Sequence, residues 1–333
     1  MRTVYIAIII LLAAFLAALG VVTLMDNGAS PEPALPLTVG MEPNQVNALI
    51  YIADEQGYFA ANGLNVTIRN YPSGAAATEG LLLGENEIAT ATEFVLVGKA
   101  LDRVPLRTFG SIDEFEQIYL IGRKDAGILD VPDLAGRTIG LSQKTAAEFY
   151  LGRFLELHGM NIREVNMEDV RPPQIVDALA KGDVDAVVTW QPHVSSIQQH
   201  MGDRVVAWPV QSGQPAFCIA ICSGEWADGH PDEITRFVRA LSEAQGYLIR
   251  DPEGSMAILS RRANYSSAYV QQVWPEHHYF LSLDQALVSA MEDEARWEIR
   301  NNLTGAKTLP DFRENIYTGG LERVKPESVN VIR

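Results

Sequence analysis

The sequence predicts an α/β protein built on mostly parallel sheets with helices on both faces. Three observations carry that prediction. Strand-like and helix-like periodicities alternate between residues 37 and 111, the order that generates a parallel sheet. The same alternation restarts near Asp130. A chain of 333 residues also has the length for about two domains of roughly 150 residues each.

Residues 1–36 come before the first strand. After Met1-Arg2-Thr3 an uncharged apolar run covers 4–25, followed by Asp26 and a polar stretch to Pro36. The run is long enough to cross a bilayer as a helix, and Arg2 before it favours an N-in, C-out orientation. Two readings stand: an uncleaved membrane anchor, or a signal peptide with Ala18-Leu19-Gly20 as its small-residue cleavage region. Both put the body of the chain outside the cytoplasm.

Residues 37–41 read as a first strand and 42–47 as a polar loop. Leu49, Ile52 and Ala53 recur at helical spacing, and Gly57 and Gly63 end that segment, since glycine takes positive φ without a Cβ clash. Leu64, Val66 and Ile68 then alternate with Asn65, Thr67 and Arg69, the pattern of a strand. It runs into Tyr71-Pro72-Ser73-Gly74, and a helix opens on Ala75. Strand, small polar turn and helix start are the geometry in which free N–H groups face a ligand. Strands follow at 87–90 and 104–111, with a helix over 94–101 between them. The apolar centre of 117–123 suits a first crossing into a second lobe, and 216–222 a return crossing. Between them strands are expected at 138–141, 184–189 and 205–208, with helices at 146–158 and 174–180 and another opening after Trp190. From Pro231 onward the pattern is mostly helical.

Several of these cues occur together in one known family. Gly57-Tyr58-Phe59, Gly63-Leu64 with Val66, the Pro72-Ser73-Gly74 turn, and Leu81-Leu82-Leu83 with Gly84-Glu85 before Ile88-Ala89 form one set. Asp133-Leu134 with Gly136 and Gly140, Ala178-Leu179, Gly182, Val184-Asp185-Ala186 and Trp190 with Pro192 form a second. In this order the chain resembles the substrate-binding proteins of ABC importers for nitrate, sulfonates, taurine and thiamine precursors. The resemblance covers about residues 37–252. It implies a two-lobed periplasmic-binding-protein-like fold, with lobe I at 37–119 and 223–333, lobe II at 120–222 and two crossing strands between them. It also implies a ligand held in the cleft and an ABC permease with its ATPase as partner.

Ligands of open α/β sheets bind beyond the carboxyl ends of the strands, and that rule selects four loops. In the first, Glu42, Asn44 and Asn47 offer polar groups, the asparagines being equally suited to capping the next helix. Asn47 stands where pyrimidine-precursor binders of the family often carry histidine. In the second, Ser73 and Gly74 with the N–H groups behind them suit an oxyanion, or a plain N-cap. In the third, Thr92 and Glu93 open a helix; a cleft-facing Glu93 repels an anion and accepts from an amine or amidine-like edge. The fourth comes from the second lobe: Ser142, Lys144 and Thr145, where many family members carry Gly-Ser at the last two positions, and Trp190 with Gln191. Trp190 offers a flat face to a ring or belongs to the core.

Other functions are disfavoured. A net charge of −16 opposes nucleic-acid binding, which needs a basic surface. Cys218 and Cys222 lie on one apolar strand, about 13 Å apart at ~3.3 Å per residue, too far for a disulfide. They read as buried core thiols. His277 and His278 are adjacent and read as surface residues. No metal or cofactor is expected, and no hydrolase elbow, phosphate loop or dinucleotide fingerprint is present. The expectation is a solute-binding protein for a thiamine-pyrimidine-like aromatic or a sulfonate- or nitrate-type anion, with Glu42, Glu93 and Trp190 favouring the former. Its rivals are a biosynthetic enzyme on the same fold and the ectodomain of a receptor.

Overall fold

The computed structural model describes residues 34–332; the expected signal or anchor over 4–25 lies outside them. The strands are β1 Leu35–Met41, β2 Leu64–Asn70, β3 Ile88–Thr92, β4 Leu106–Phe115, β5 Ile118–Arg123, β6 Thr138–Leu141, β7 Asn166–Asp169, β8 Ala186–Trp190, β9 Val205–Pro209, β10 Ala216–Ser223 and β11 His277–His278. They form two sheets, one in the order β11-β4-β10-β3-β1-β2 and the other β7-β6-β8-β5-β9. The helices are α1 Ala48–Glu55, α2 Tyr58–Ala61, α3 Gly74–Leu82, α4 Glu93–Leu101, α5 Ala146–Leu157, α6 Ile175–Lys181 and α7 His193–Met201. They continue with α8 Gly224–Gly229, α9 Pro231–Arg250, α10 Pro252–Arg262, α11 Ser267–Val273, α12 Gln285–Asn301 and α13 Gly319–Val324.

Both sheets are mixed. The strand–helix alternation accounts for the parallel pairs, β1 with β2 and β3, and β6 with β7 and β8. Antiparallel strands complete each sheet: β10 pairs with β3 and β4, and β5 with β8 and β9. Gly57 and Gly63 both take φ of 72°, as their role in ending the first helical segment requires.

Membership of the sheets changes at residues 116–117, between β4 and β5, and again at 210–215, between β9 and β10. This differs from the expected lobe boundaries. Position 119/120 falls inside β5, and the strand read as a return crossing within 120–222 is a central strand of the first sheet. The unbroken apolar run 216–222 has a physical reason: β10 lies between β3 and β4, and every residue from Ala216 to Cys222 is buried. A strand covered on both faces needs no polar alternation.

Helix α12 packs on α4 and also on α5, which flanks the second sheet. Its Trp297 meets Phe149 edge to face, with centroids 5.6 Å apart. A Cβ added at Gly152 would lie 2.1 Å from the Trp297 ring, so glycine is what lets the two helices approach. Arg300 pairs with Glu156 at 2.8 Å on the rim of this contact. His277 departs from its expected surface position. Its side chain is fully buried and its Nδ1 lies 2.6 Å from Asp113 Oδ2, because β11 pairs onto the edge of β4. His278, next in sequence, is exposed.

Candidate ligand-binding site

Each strand that ends toward the space between the sheets delivers a short polar loop there. β1 leads to Glu42, Asn44 and Asn47; β2 to Ser73 and Gly74; β3 to Thr92; β6 to Thr145; β8 ends at Trp190. Together they line a small cavity of about 60 Å³. The remaining walls are mostly apolar and include Val46, Val95, Phe115, Ile118, Ala146 and Cys218. A mostly apolar concavity with a few convergent polar groups is the usual form of a small-molecule site.

Glu42 and Trp190 join across this cavity. The Trp190 indole N–H donates to Glu42 Oε1 at 3.0 Å, linking the first sheet's β1 loop to the end of β8 in the second. Glu42 is half-buried. Burial pushes its carboxyl up to about 7, against the opposing hydrogen bonds from Trp190 and Asn44.

The two asparagines do not cap the following helix through their side chains. Asn47 Nδ2 instead donates to the Glu42 carbonyl at 2.9 Å and to Asn44 Oδ1 at 3.3 Å. Those two acceptors fix which end of the amide is nitrogen. They leave Asn47 Oδ1 buried with no partner. Ser73 does cap its helix, its Oγ accepting from Ala76 N at 3.2 Å, and it also lines the cavity. Gly74 lies so close to β3 that a Cβ would fall 2.7 Å from Ala91 Cα. That contact is with backbone, so the requirement for glycine is strict.

On the second-sheet side, the Thr145 hydroxyl donates to Ser142 O at 2.7 Å. Lys144 takes φ of 58°, the left-handed conformation that glycine adopts freely. Glycine at this position would therefore fit the turn without strain. The Lys144 backbone N–H donates to Glu148 Oε2 at 2.8 Å.

Of the twelve residues singled out from sequence, Glu42, Asn44, Asn47, Ser73, Gly74, Thr92, Thr145 and Trp190 line the cavity, while Glu93, Ser142, Lys144 and Gln191 do not. Glu93 turns into the core. It is fully buried, and its Oε2 accepts from Phe217 N at 3.0 Å. Gln191 turns toward its own helix and accepts from Ser195 N and Oγ. Sequence reasoning missed Phe115, Gln117, Ile118 and Cys218. The first three sit where the chain passes between sheets, and no local pattern marks such a passage as a pocket wall. Cys218 is opposite Thr92 across β10 and β3, a pairing that sequence does not reveal.

The family model described as NMT1/THI5 like matches residues 44–255. The chain belongs to that family. Among its relatives, the taurine-binding periplasmic protein of Escherichia coli (strain K12) is 24% identical over 223 residues, 66% of this chain and 68% of that one. The formylaminopyrimidine-binding protein of Halalkalibacterium halodurans is 25% identical over 263 residues, 75% of this chain and 77% of its own length. The fold matches that of the alkanesulfonate-binding protein SsuA from Xanthomonas axonopodis pv. citri bound to MOPS, with a TM-score of 0.75 and 18% identity over 87% of this chain and all of that one. It also matches the desulfurization enzyme DSZB, with a TM-score of 0.64 and 18% identity over 88% and 99% of the two chains. The same fold therefore occurs in binding proteins and in an enzyme. The polar loops described above fall inside the matched region from Asn44 on, while Glu42 stands just before it.

Proposed function

We propose that this chain is the extracytoplasmic solute-binding protein of an ABC importer. It captures a small organic solute between two lobes, one on each sheet, and presents the closed form to a permease with its ATPase. The observation that carries this reading is the cavity at the strand ends, walled by both sheets and spanned by the Trp190–Glu42 hydrogen bond. Burying a solute there adds contacts that only the closed arrangement offers, so the solute shifts the chain toward closure. The hinge lies at 116–117 and 210–215. Gln211 supports that assignment: its Nε2 donates to Phe115 O at 2.8 Å and its Oε1 accepts from Ile118 N at 2.9 Å, tying both passages together. In this reading residues 4–25 carry the body across a membrane, as an anchor or a cleaved signal.

The rival is catalysis on the same frame, favoured by the likeness to DSZB. The cavity wall does hold a thiol, Cys218. Burial, followed by the nearby Asp113, Glu93 and Glu42 carboxyls, pushes it well above the ordinary thiol range. A thiol so placed gives little thiolate and makes a poor nucleophile. The deciding experiment is calorimetric titration of the full-length protein with candidate solutes, followed by mass spectrometry of the recovered solute. Binding with the solute recovered unchanged is expected; its chemical conversion would establish an enzyme.

A further inference from the structure

We infer that His277 is a positioning residue for solute capture: bound to Asp113, it holds β11 in register on β4 and so clamps the passage at 116–117 about which the lobes close. This rests on the solute-binding reading and its hinge, and adds what sets that hinge.

β11 is only two residues long, His277 and His278, and forms one edge of the first sheet. It pairs antiparallel with the end of β4, His277 opposite Phe115 and His278 opposite Glu114. So short a strand fixes its register poorly through its backbone, and a slip of one residue would turn each side chain to the other face. The side chains supply what the backbone lacks. Residues opposite each other share a face, and Asp113 stands two positions before Phe115, diagonal to His277 on that same face. His277 Nδ1 and Asp113 Oδ2 meet there at 2.6 Å, with neither side chain exposed. Burial pushes the Asp113 carboxyl up to about 6, against the pull of His277. At neutral pH it is therefore mostly ionised, and the Nδ1–H is the donor. In any other register that bond is lost, and the carboxylate stays buried without the imidazole. The pair lies one row behind the cavity wall: Cys218, which lines the cavity, is opposite Asp113, and the imidazole packs on the Phe115 ring with centroids 6.0 Å apart.

What this register holds in place is the hinge. Glu276, just before β11, accepts through its carbonyl from Glu116 N at 3.0 Å and through Oε1 from the Tyr119 hydroxyl at 3.5 Å. Glu116 belongs to the first passage and Tyr119 to β5 of the second sheet. On its other side, Glu116 Oε2 accepts from Gly213 N at 3.2 Å, in the second passage. Together with Gln211, this ties both passages into one block. Glu276 ties the block to the strand that His277 pins. A buried ion pair is weak ground for stability. Its value here is geometric: one arrangement of the passage, in which the cavity walls Phe115, Gln117 and Ile118 stand in place.

The test compares two substitutions in the full-length protein. His277→Phe keeps a ring against Phe115 and loses the donor. His277→Asn loses the ring and keeps a donor at the Nδ1 position. Hydrogen–deuterium exchange read by mass spectrometry reports the hinge without any solute. Over 114–119, exchange should quicken about tenfold or more in His277→Phe and stay within about threefold of the unsubstituted protein in His277→Asn, with 35–41 unchanged in both. A role in filling space alone would reverse that order. Tyr119→Phe removes only the hydroxyl on Glu276, giving a further variant should His277→Phe fold poorly. It should quicken the same stretch by about threefold. Calorimetry with 4-amino-2-methylpyrimidine, a nitrogen base, and with taurine then reads capture. A probe that binds should bind several-fold weaker to His277→Phe, and by the same factor for both probes, because His277 lies outside the cavity lining. Unchanged exchange in His277→Phe, or faster exchange in His277→Asn than in His277→Phe, would overturn the inference and leave solute capture standing. A loosened hinge with unaltered affinity would do the same. The expected exchange with neither probe bound would uphold the clamp and count against solute capture.

Discussion

Glu42 and Glu93 occupy equivalent places and do opposite things. Each is the residue just past a strand of the first sheet, β1 and β3, and those strands are parallel neighbours. Glu42 lies in an open loop and lines the cavity. Glu93 is the first residue of a helix whose start runs beside β10, and it falls next to Phe217 and takes its N–H. From there it faces the core. It meets Tyr150 of α5 and Glu294 of α12, whose two carboxyl oxygens have no hydrogen-bond partner in the described structure. A position past a strand tip thus fixes where a residue stands, and the neighbouring strand decides which way it looks.

The largest test of that contrast is stability against pH. Burial pushes the Glu294 carboxyl well above its ordinary value, and Glu93, Glu298 and Asp293 push it further; burial likewise raises Glu93. Tyr150 faces both and is itself raised, so it brings no opposing charge. A carboxyl raised in the folded state stays protonated while its unfolded counterpart ionises. The stability it contributes is therefore whole below about pH 4.5 and falls as pH climbs toward the folded value, by about 1.4 kcal/mol per unit. Glu294→Met should leave the melting temperature nearly unchanged at pH 4.5 and raise it by about 5 °C or more at pH 8.5. Equal melting temperatures at pH 8.5 would mean that these carboxyls are not held apart from water.

Gly74→Ala comes next, because it damages the cavity side without touching charge. Its Cβ would meet the Ala91 backbone at 2.7 Å, and forcing such a contact costs about 1–3 kcal/mol. The start of α3 must move off β3, so both melting temperature and solute affinity should drop. Gly152→Ala presses on the Trp297 ring instead. It should lower the melting temperature by a similar amount while changing the affinity less. Loss of affinity in both variants alike would show that the cavity depends on the α5–α12 contact as much as on its own walls.

These contrasts also mark what could be read in the sequence. The α/β class, the alternation of strand and helix within each parallel segment and the four polar loops follow from periodicity and turn chemistry, which act over a few residues. Eight cavity residues come out of that reasoning because a loop past a strand tip has nowhere else to lie. Glu93 and Gln191 elude it because their direction depends on Phe217 and Ser195, partners supplied by folding. Phe115 and Gln117 elude it for another reason. They become a wall where the chain passes from one sheet to the next, and that passage is a fact of topology. The antiparallel central placement of β10 is of the same kind: its apolar run announces burial without saying between which strands.

A tenfold effect is expected from pH on binding. Glu42 has its carboxyl near 7. The groups facing it that titrate are Tyr51, Tyr265 and Cys218, and burial drives all three upward, away from neutral pH. Affinity for a base whose own charge is constant should therefore rise about tenfold from pH 6 to pH 8, as the ionised fraction of Glu42 grows from ~0.1 to ~0.9. Glu93 stays out of this profile, since it does not line the cavity. A flat profile would place Glu42 outside the binding step.

The smallest effect belongs to Lys144, the one cationic side chain among the candidate residues singled out from sequence. Its side chain does not line the cavity, and its backbone sits at φ of 58° with the N–H held by Glu148. Lys144→Gly removes the charge and relaxes the left-handed backbone, a change worth up to ~1 kcal/mol in favour of folding. Affinity for 4-amino-2-methylpyrimidine should stay within twofold, and the melting temperature should hold or rise by a degree or two. A tenfold loss of affinity would mean that Lys144 swings into the site on binding. The cavity would then carry a cation opposite Glu42, which suits an acidic solute.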